Sequence, residues 1–275
     1  MKWLIYGHKG WIGSYFCDFL KQKYSEIELI YPSSRADSIE GVAKDFDEYN
    51  PDHVISFIGR TNGPGFPNID YLEQKGKLKE NLNDNLFSPL LLMKFCSDRN
   101  IHFTYLGTGC IYSYENPADD SFGVDTPPNY FGTSYSCVKA FTDTISKLFP
   151  NTLNVRIRMP IVGYDHPKNL ISKIIGYSKI NNALNSVTVL DDAIPRLVDE
   201  IIKDTTGTIN LVNPGPIDHV TILELYKKYV DSDHTYTLIS EISLRANNTL
   251  VPSFDLPLTK DSIETFFQNG AFVKK

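Results

Sequence analysis

Tyr135 and Lys139 stand four residues apart in a helix-like stretch, so a phenol and an ammonium share one face, one turn apart. A free phenol ionises near pH 10; a neighbouring positive charge lowers that value and makes the hydroxyl a usable acid near neutrality. Spacing alone does not single the pair out, because Tyr71 and Lys75 repeat it. Position favours the first pair. Tyr135 opens a helical stretch, and the strand-like run before it ends in Gly107-Thr108-Gly109. A hydroxyl, a phenol and a lysine can therefore meet at the carboxyl edge of a sheet, where open α/β folds bind ligands. Such a set suits carbonyl reduction. Tyr135 would protonate the alkoxide formed when hydride reaches a ketone, Thr108 would hydrogen-bond the same oxygen, and Lys139 would hold the nicotinamide ribose while tuning the phenol. The bland alternative is an amphipathic helix with a buried tyrosine and a surface lysine.

Hydride needs a carrier, and the first dozen residues hold one candidate site. Gly7, Gly10 and Gly13, in the string GHKGWIG, fall between a strand and a helix. Glycine there lets the backbone approach a pyrophosphate, and the helix N-terminus favours its charge. Lys9, Trp11 and Ile12 belong to the same loop. About twenty residues on, an acidic side chain would grip the ribose 2′-hydroxyl of NAD. This chain instead has Ser33, Ser34 and Arg35, where a guanidinium can pair with a 2′-phosphate in bidentate fashion and serines can donate to it. The expected cofactor is NADP(H); Asp37 nearby leaves NAD open.

The elements that must carry these groups alternate. Strand-length apolar runs at 3–6, 27–31, 54–58, 102–106 and 153–157 are separated by helical stretches at 11–24, 39–49, 78–98 and 135–149. Strands alternating with helices imply a Rossmann-type doubly wound parallel sheet in the α/β class. Residues 39–49 read as one helix directly after the second strand, so the usual third strand is short or missing. From about residue 159 the pattern shifts to helices near 169–178 and 194–204 and a strand at 208–212. Thr221 with Glu224 reads as a capping box opening a helix toward Val230. The expected division is a nucleotide-binding domain at 1–158 and a smaller C-terminal substrate lobe at 159–275, packed on the first.

Bulk properties exclude several partners. With 275 residues and a net charge of -6, and without a basic run, the chain lacks the surface that nucleic acid needs. No apolar stretch approaches the ~20 residues that span a bilayer, and the first strand begins directly after Met1, so no membrane and no leader segment are expected. The location expected is cytoplasmic. Cys17, Cys96, Cys110 and Cys137 show no metal-type pairing and read as free thiols, with no metal expected.

Taken together, GHKGWIG, SFIGRTNGPG, YLGTGCIY, NYFGTSYSCVK, RIRMPI and NSVTVLDD resemble the bifunctional nucleotide-rhamnose synthases, the UDP-4-keto-6-deoxyglucose 3,5-epimerase/4-reductases of plants and some large viruses. The resemblance runs from residue 1 to about 250; the tail after Val251 matches nothing in it. It implies conversion of UDP-4-keto-6-deoxy-D-glucose to UDP-L-rhamnose with NADPH. Thr108, Tyr135 and Lys139 keep the reductase roles, and Cys110 with Lys173 becomes the acid/base pair for epimerisation. It further implies Gly59, Arg60 and Asn85 beside the cofactor. On the substrate side it implies Asn62, Arg158, Asn169, Asn185, Ser186, Val187, Thr188, Arg245 and Asn247. One departure stands out: Ala183-Leu184 replaces the usual Ile-Pro before Asn185-Ser186. Three alternatives stay open: a 2-acetamido relative of the sugar, a 4-keto reductase without epimerase activity, and a non-catalytic NADP-sensing protein. A homodimer and a functional link to a 4,6-dehydratase are further expectations.

Overall fold

The computed structural model describes residues 1–114, 121–239 and 248–272. Its elements alternate as expected: β1 (Lys2–Tyr6), α1 (Trp11–Lys23), β2 (Glu28–Ile30), α2 (Ile39–Tyr49), β3 (His53–Ser56), α3 (Leu78–Leu82), α4 (Ser88–Asp98), β4 (His102–Thr108), α5 (Ser134–Ser146) and β5 (Thr152–Ile157). After them come α6 (Leu170–Ile175), β6 (Lys179–Ile180), α7 (Leu190–Ile202), β7 (Gly207–Asn210), α8 (His219–Tyr229), β8 (Thr237–Leu238) and α9 (Thr259–Gln268).

The strands β3 and β5 are buried along their whole length, as strands covered on both faces must be, which is why they read as near-continuous apolar runs. Six strands form one sheet in the order β2-β1-β3-β4-β5-β7, and β1 pairs with β2 and β3 in parallel, as β3 does with β4. The order reverses between β1 and β3, which creates the crevice where doubly wound sheets take their ligands. Among the described residues β2 is the edge, since the chain goes straight from it into α2, and the short-or-missing third strand is accounted for.

The helical stretch 78–98 keeps its expected ends but has a π-helical turn, Asn83–Phe87, at its centre. Pro89 supplies the cause. It has no N–H to give the carbonyl of Asn85 four residues back, so that bond cannot form. The released Asn85 oxygen instead accepts from Thr142 Oγ1 of α5 at 2.6 Å.

The chain divides into one compact unit of residues 1–111, 127–156 and 198–209 and another of 112–126, 157–197 and 210–275. Relative to a single cut after Arg158, two segments group with the opposite side, 112–126 and 198–209. Residues 207–209 return to the first unit because β7 completes the sheet beside β5. Phe122 falls in the second because its backbone pairs with Thr249 and Val251. In that second unit Ile161, Ile171, Ile174, Val189, Ile222, Ile263 and Phe267 share one core. The helix α9, which the resemblance did not reach, buries Thr259, Ile263 and Phe267 at four-residue intervals. The start of α8 is a correction. Asp218, not Thr221, is the N-cap, and its carboxylate accepts from Thr221 N at 2.7 Å. Glu224, which the capping box required, accepts from the Tyr236 hydroxyl instead. No helix among the described residues is long and apolar enough to cross a membrane.

Candidate active site

The loop after β1 is shaped by what its glycines exclude. Gly7 has φ of +78°, and a Cβ on it would lie 2.8 Å from the backbone of Phe57. A Cβ on Gly13 would lie 2.3 Å from the Gly7 carbonyl, so the first turn of α1 packs directly on the loop. That helix opens on Gly10 without a side-chain cap and without an acidic residue in its first turn. Its N-terminal N–H groups and positive dipole end thus meet no carboxylate there, which suits a pyrophosphate. Trp11 and Ile12 form that turn, and Lys9 is exposed beside it.

The next segment departs from expectation. Ser33 and Ser34 turn inward and donate their hydroxyls to Asp45 of α2, each at 2.7 Å, and Ser33 N adds a third hydrogen bond at 3.0 Å. A fourth comes from the Tyr6 hydroxyl at 3.1 Å. Burial pushes the Asp45 carboxyl up, but the hydrogen bonds from Ser34, Ser33 and Tyr6 outweigh it and hold the group below its ordinary value. The serine protons are spent on Asp45, so these side chains shape the loop. Arg35 is exposed and holds Asp37 through two parallel bonds of 2.9 Å, Nε to Oδ1 and one terminal nitrogen to Oδ2. A phosphate would take over that fork.

The residues suited to reduction come together within the first unit. Thr108 ends β4, nearly buried, and its Oγ1 accepts from Cys110 N at 3.1 Å. Tyr135 is buried in a small apolar cluster with Tyr71 and Leu72, against which Cys110 packs. Lys139, buried one turn later, donates Nζ to the Tyr105 hydroxyl and to the Leu106 carbonyl, the latter at 3.3 Å. Desolvation lowers its ammonium to about 7, with Asp143 and Cys110 pulling weakly the other way. The rival pair separates: Tyr71 sits in a short 3-10 turn, Ile69–Glu73, and hydrogen-bonds Glu80, while Lys75 lies beyond the turn's end.

Sequence reasoning missed Glu73, Asn81 and Tyr105, which together with Asn85 hold this set in place. Thr133 is the N-cap of α5, and Glu73 adds to it from outside the helix, accepting from Ser134 N at 2.9 Å and from Tyr135 N at 3.2 Å. The fully buried amides Asn85 and Asn81 form a relay: Asn85 Nδ2 donates to Asn81 Oδ1, and Asn81 Nδ2 to Ser134 Oγ, both at 2.8 Å. At its other end Asn85 grips the backbone N–H and carbonyl of Arg60, beside Gly59, fixing the loop after β3 to the helix that carries Tyr135. Arg60 turns its guanidinium to Asp84, and Asn62 is half-buried in the same loop. Tyr105 had a signal: a tyrosine inside a buried strand needs a partner for its hydroxyl.

In the second unit Lys173 lies on α6, and burial together with Lys168 lowers its ammonium from the ordinary value. The stretch expected to hold a nucleotide is committed inward. Asn169 caps α6, accepting from Ile171 N, and gives its amide hydrogens to the carbonyls of Val162 and Tyr164, both at 2.8 Å. Arg158, buried, donates to Asn185 Oδ1, and Thr188 Oγ1 accepts from Arg158 N and donates to the Leu211 carbonyl. Ser186 accepts from Leu250 N, and Val187 is in the core. The side chains of Asn169, Ser186, Val187 and Thr188 are thus engaged with the fold of the second unit. Arg245 and Asn247 lie outside the described residues.

Comparison with known proteins adds the following. Residues 3–162 match the model of the NAD dependent epimerase/dehydratase family. The chain is similar to protein L780 of Acanthamoeba polyphaga mimivirus, 49% identical over 82% of this chain and 79% of that protein. The crystal structure of L780, a UDP-rhamnose synthase, superposes with a TM-score of 0.92 at 42% identity, covering 98% of this chain and 99% of that one. An Arabidopsis thaliana bifunctional dTDP-4-dehydrorhamnose 3,5-epimerase/dTDP-4-dehydrorhamnose reductase is 32% identical over 90% of this chain and 84% of its own length. A dTDP-4-dehydrorhamnose reductase from Bacillus anthracis, solved with NADP, shares the fold at 15% identity, with a TM-score of 0.81 and 98% of both chains covered.

Proposed function

Because the chain belongs to the NAD dependent epimerase/dehydratase family, we propose that it is a bifunctional 3,5-epimerase/4-reductase converting UDP-4-keto-6-deoxy-D-glucose to UDP-L-rhamnose with NADPH. The observation that carries the reading is the grouping of Thr108, Cys110, Tyr135 and Lys139 around the end of β4. Support for the substrate comes from the mimivirus relative, whose solved structure is that of a UDP-rhamnose synthase.

Hydrogens at C3 and C5 flank the C4 ketone and are acidified by it. Cys110 and Lys173 are the acid/base pair: one group removes each proton and the other returns one to the opposite ring face, inverting the centre. The lowered ammonium of Lys173 suits proton exchange closer to neutrality. When bound, NADPH would supply the hydride for C4. Tyr135 gives its phenolic proton to the C4 oxygen, Thr108 donates to the same oxygen, and Lys139 would hold the nicotinamide ribose. The Gly7–Gly13 loop and the α1 N-terminus would take the pyrophosphate, and Arg35 would take the 2′-phosphate. The keto sugar is itself the product of a 4,6-dehydration, so an enzyme of that class supplies the substrate; a cytoplasmic setting belongs to the same proposal.

The test is incubation with UDP-4-keto-6-deoxy-D-glucose and NADPH in deuterated water, with the product identified by NMR. UDP-L-rhamnose carrying deuterium at C3 and C5 is expected, and Tyr135→Phe should lower turnover about 10²–10⁴-fold while still binding NADPH. An unepimerised 6-deoxy sugar would remove the roles of Cys110 and Lys173; NADPH bound but not oxidised would point to a 2-acetamido substrate.

A further inference from the structure

Reduction belongs to the carboxyl ends of the strands, but a second group of chemically capable side chains sits at their amino ends. His53 opens β3 and His102 opens β4, and the two are paired in the register of these strands, so both side chains rise from one face of the sheet. Their ring centroids are 5.5 Å apart. Both residues are more than nine-tenths buried, with 6% and 8% of their surface exposed. His102 Nε2 lies 2.8 Å from the Thr205 carbonyl. A carbonyl only accepts, so Nε2 carries the hydrogen and Nδ1 is left as a bare lone pair. His53 Nε2 lies 2.9 Å from Asp204 Oδ1. The Nδ1 atoms of both rings are buried without a hydrogen-bond partner, a state that folded proteins avoid unless a water, an ion or a chemical role accounts for it.

Asp204 follows α7 with φ of +53°, and 67% of its side chain is exposed. One ligating atom from each of His53, His102 and Asp204 lies within 4.8 Å of the other two. We propose that these three residues bind one divalent transition-metal ion of the zinc class. Two imidazoles and a carboxylate form the mixed nitrogen and oxygen set that such ions take, whereas magnesium and calcium prefer oxygen alone. The Thr205 carbonyl holds the second nitrogen of His102, an orientation that metal-ligating histidines commonly use. The exposed Asp204 carboxylate can rotate from His53 to a ligating distance, and water on that side completes the coordination. The ion ties the turn after α7 to the starts of β3 and β4. It is a clasp on the fold, away from Thr108 at the other end of β4.

The experiment uses the full chain, freed of metal by a chelator, with Zn²⁺ titrated by calorimetry and Co²⁺ followed by visible absorbance. One equivalent of either ion should bind, with a nitrogen/oxygen cobalt spectrum and a higher melting temperature. Asp204→Asn keeps a residue that tolerates the left-handed backbone and an exposed position, so it isolates the carboxylate from the fold. It should weaken Zn²⁺ binding tenfold or more without altering turnover, and His102→Gln should abolish binding. Absence of saturable one-to-one uptake would overturn the proposal. So would a thiolate charge-transfer band, which would place the ion on a cysteine, or an Asp204→Asn protein that binds as tightly as the parent.

Discussion

Replacing Lys139 with methionine should abolish turnover and yet stabilise the cofactor-free protein at neutral pH. Only 4% of Lys139 is exposed, and burial brings its ammonium from 10.5 down to about 7, against smaller opposing effects of Asp143 and Cys110. The unfolded chain holds the same proton up to about pH 10.5, so the gap corresponds to about 5 kcal/mol at low pH and slightly less at pH 7. Between these values the unfolded state binds one proton more than the folded state. The stability of the parent protein therefore rises with pH, by about 1.4 kcal/mol per unit across that window, and the cost of Lys139 is fully present below it. Methionine removes the cost. It also deletes the hydrogen bonds to Tyr105 and the Leu106 carbonyl, a loss of about 1–3 kcal/mol. A net gain of about 1–3 kcal/mol is expected at pH 7, vanishing near pH 9 and reversing above it. Urea unfolding of both proteins without cofactor at pH 7, 8, 9 and 10 measures this directly. A variant that is less stable than the parent by the same amount at every pH would refute the reasoning, because Lys139 would then carry no depressed titration.

Two further substitutions probe the cofactor segment and the scaffold. Asp37→Asn releases the Arg35 fork, and since exposed ion pairs are worth about 0.2–1 kcal/mol, NADPH should bind about 1.5–5-fold more tightly by fluorescence titration, with Arg35→Ala weakening NADPH but not NADH. Asp143 of α5 accepts two bonds of 2.8 Å from the fully buried Arg156 of β5 and another from Asn154. Asp143→Asn leaves that guanidinium uncompensated and should cost about 3–5 kcal/mol in denaturant unfolding.

Much of this site was legible in order along the chain. The glycine loop, the strand ending at Thr108, the helix bearing Tyr135 and Lys139, and the choice of this pair over Tyr71 and Lys75 all follow from signals that act over a few residues: periodicity, turn chemistry and position relative to a strand. The ends of α2 and of the 78–98 stretch were legible for the same reason, since helix boundaries are written in local backbone preferences.

Partners were not legible, because hydrogen bonds between side chains distant in sequence depend on which strands become neighbours. Nothing near Ser33 announces that Asp45 will take its proton, and nothing near Lys139 announces Tyr105, 34 residues away. The stretch 78–98 reads as one helix; Pro89 removes a hydrogen bond from it, and only the packing of α5 brings Thr142 Oγ1 to donate to the released Asn85 carbonyl. The sequence by itself determined which chemical groups this protein carries and on which kinds of element. The tertiary structure decided which of them are spent on the fold, as Ser33, Ser34 and Asn169 are. The reason is physical: a buried donor or acceptor must find a partner, and only the closed chain decides which one is within reach.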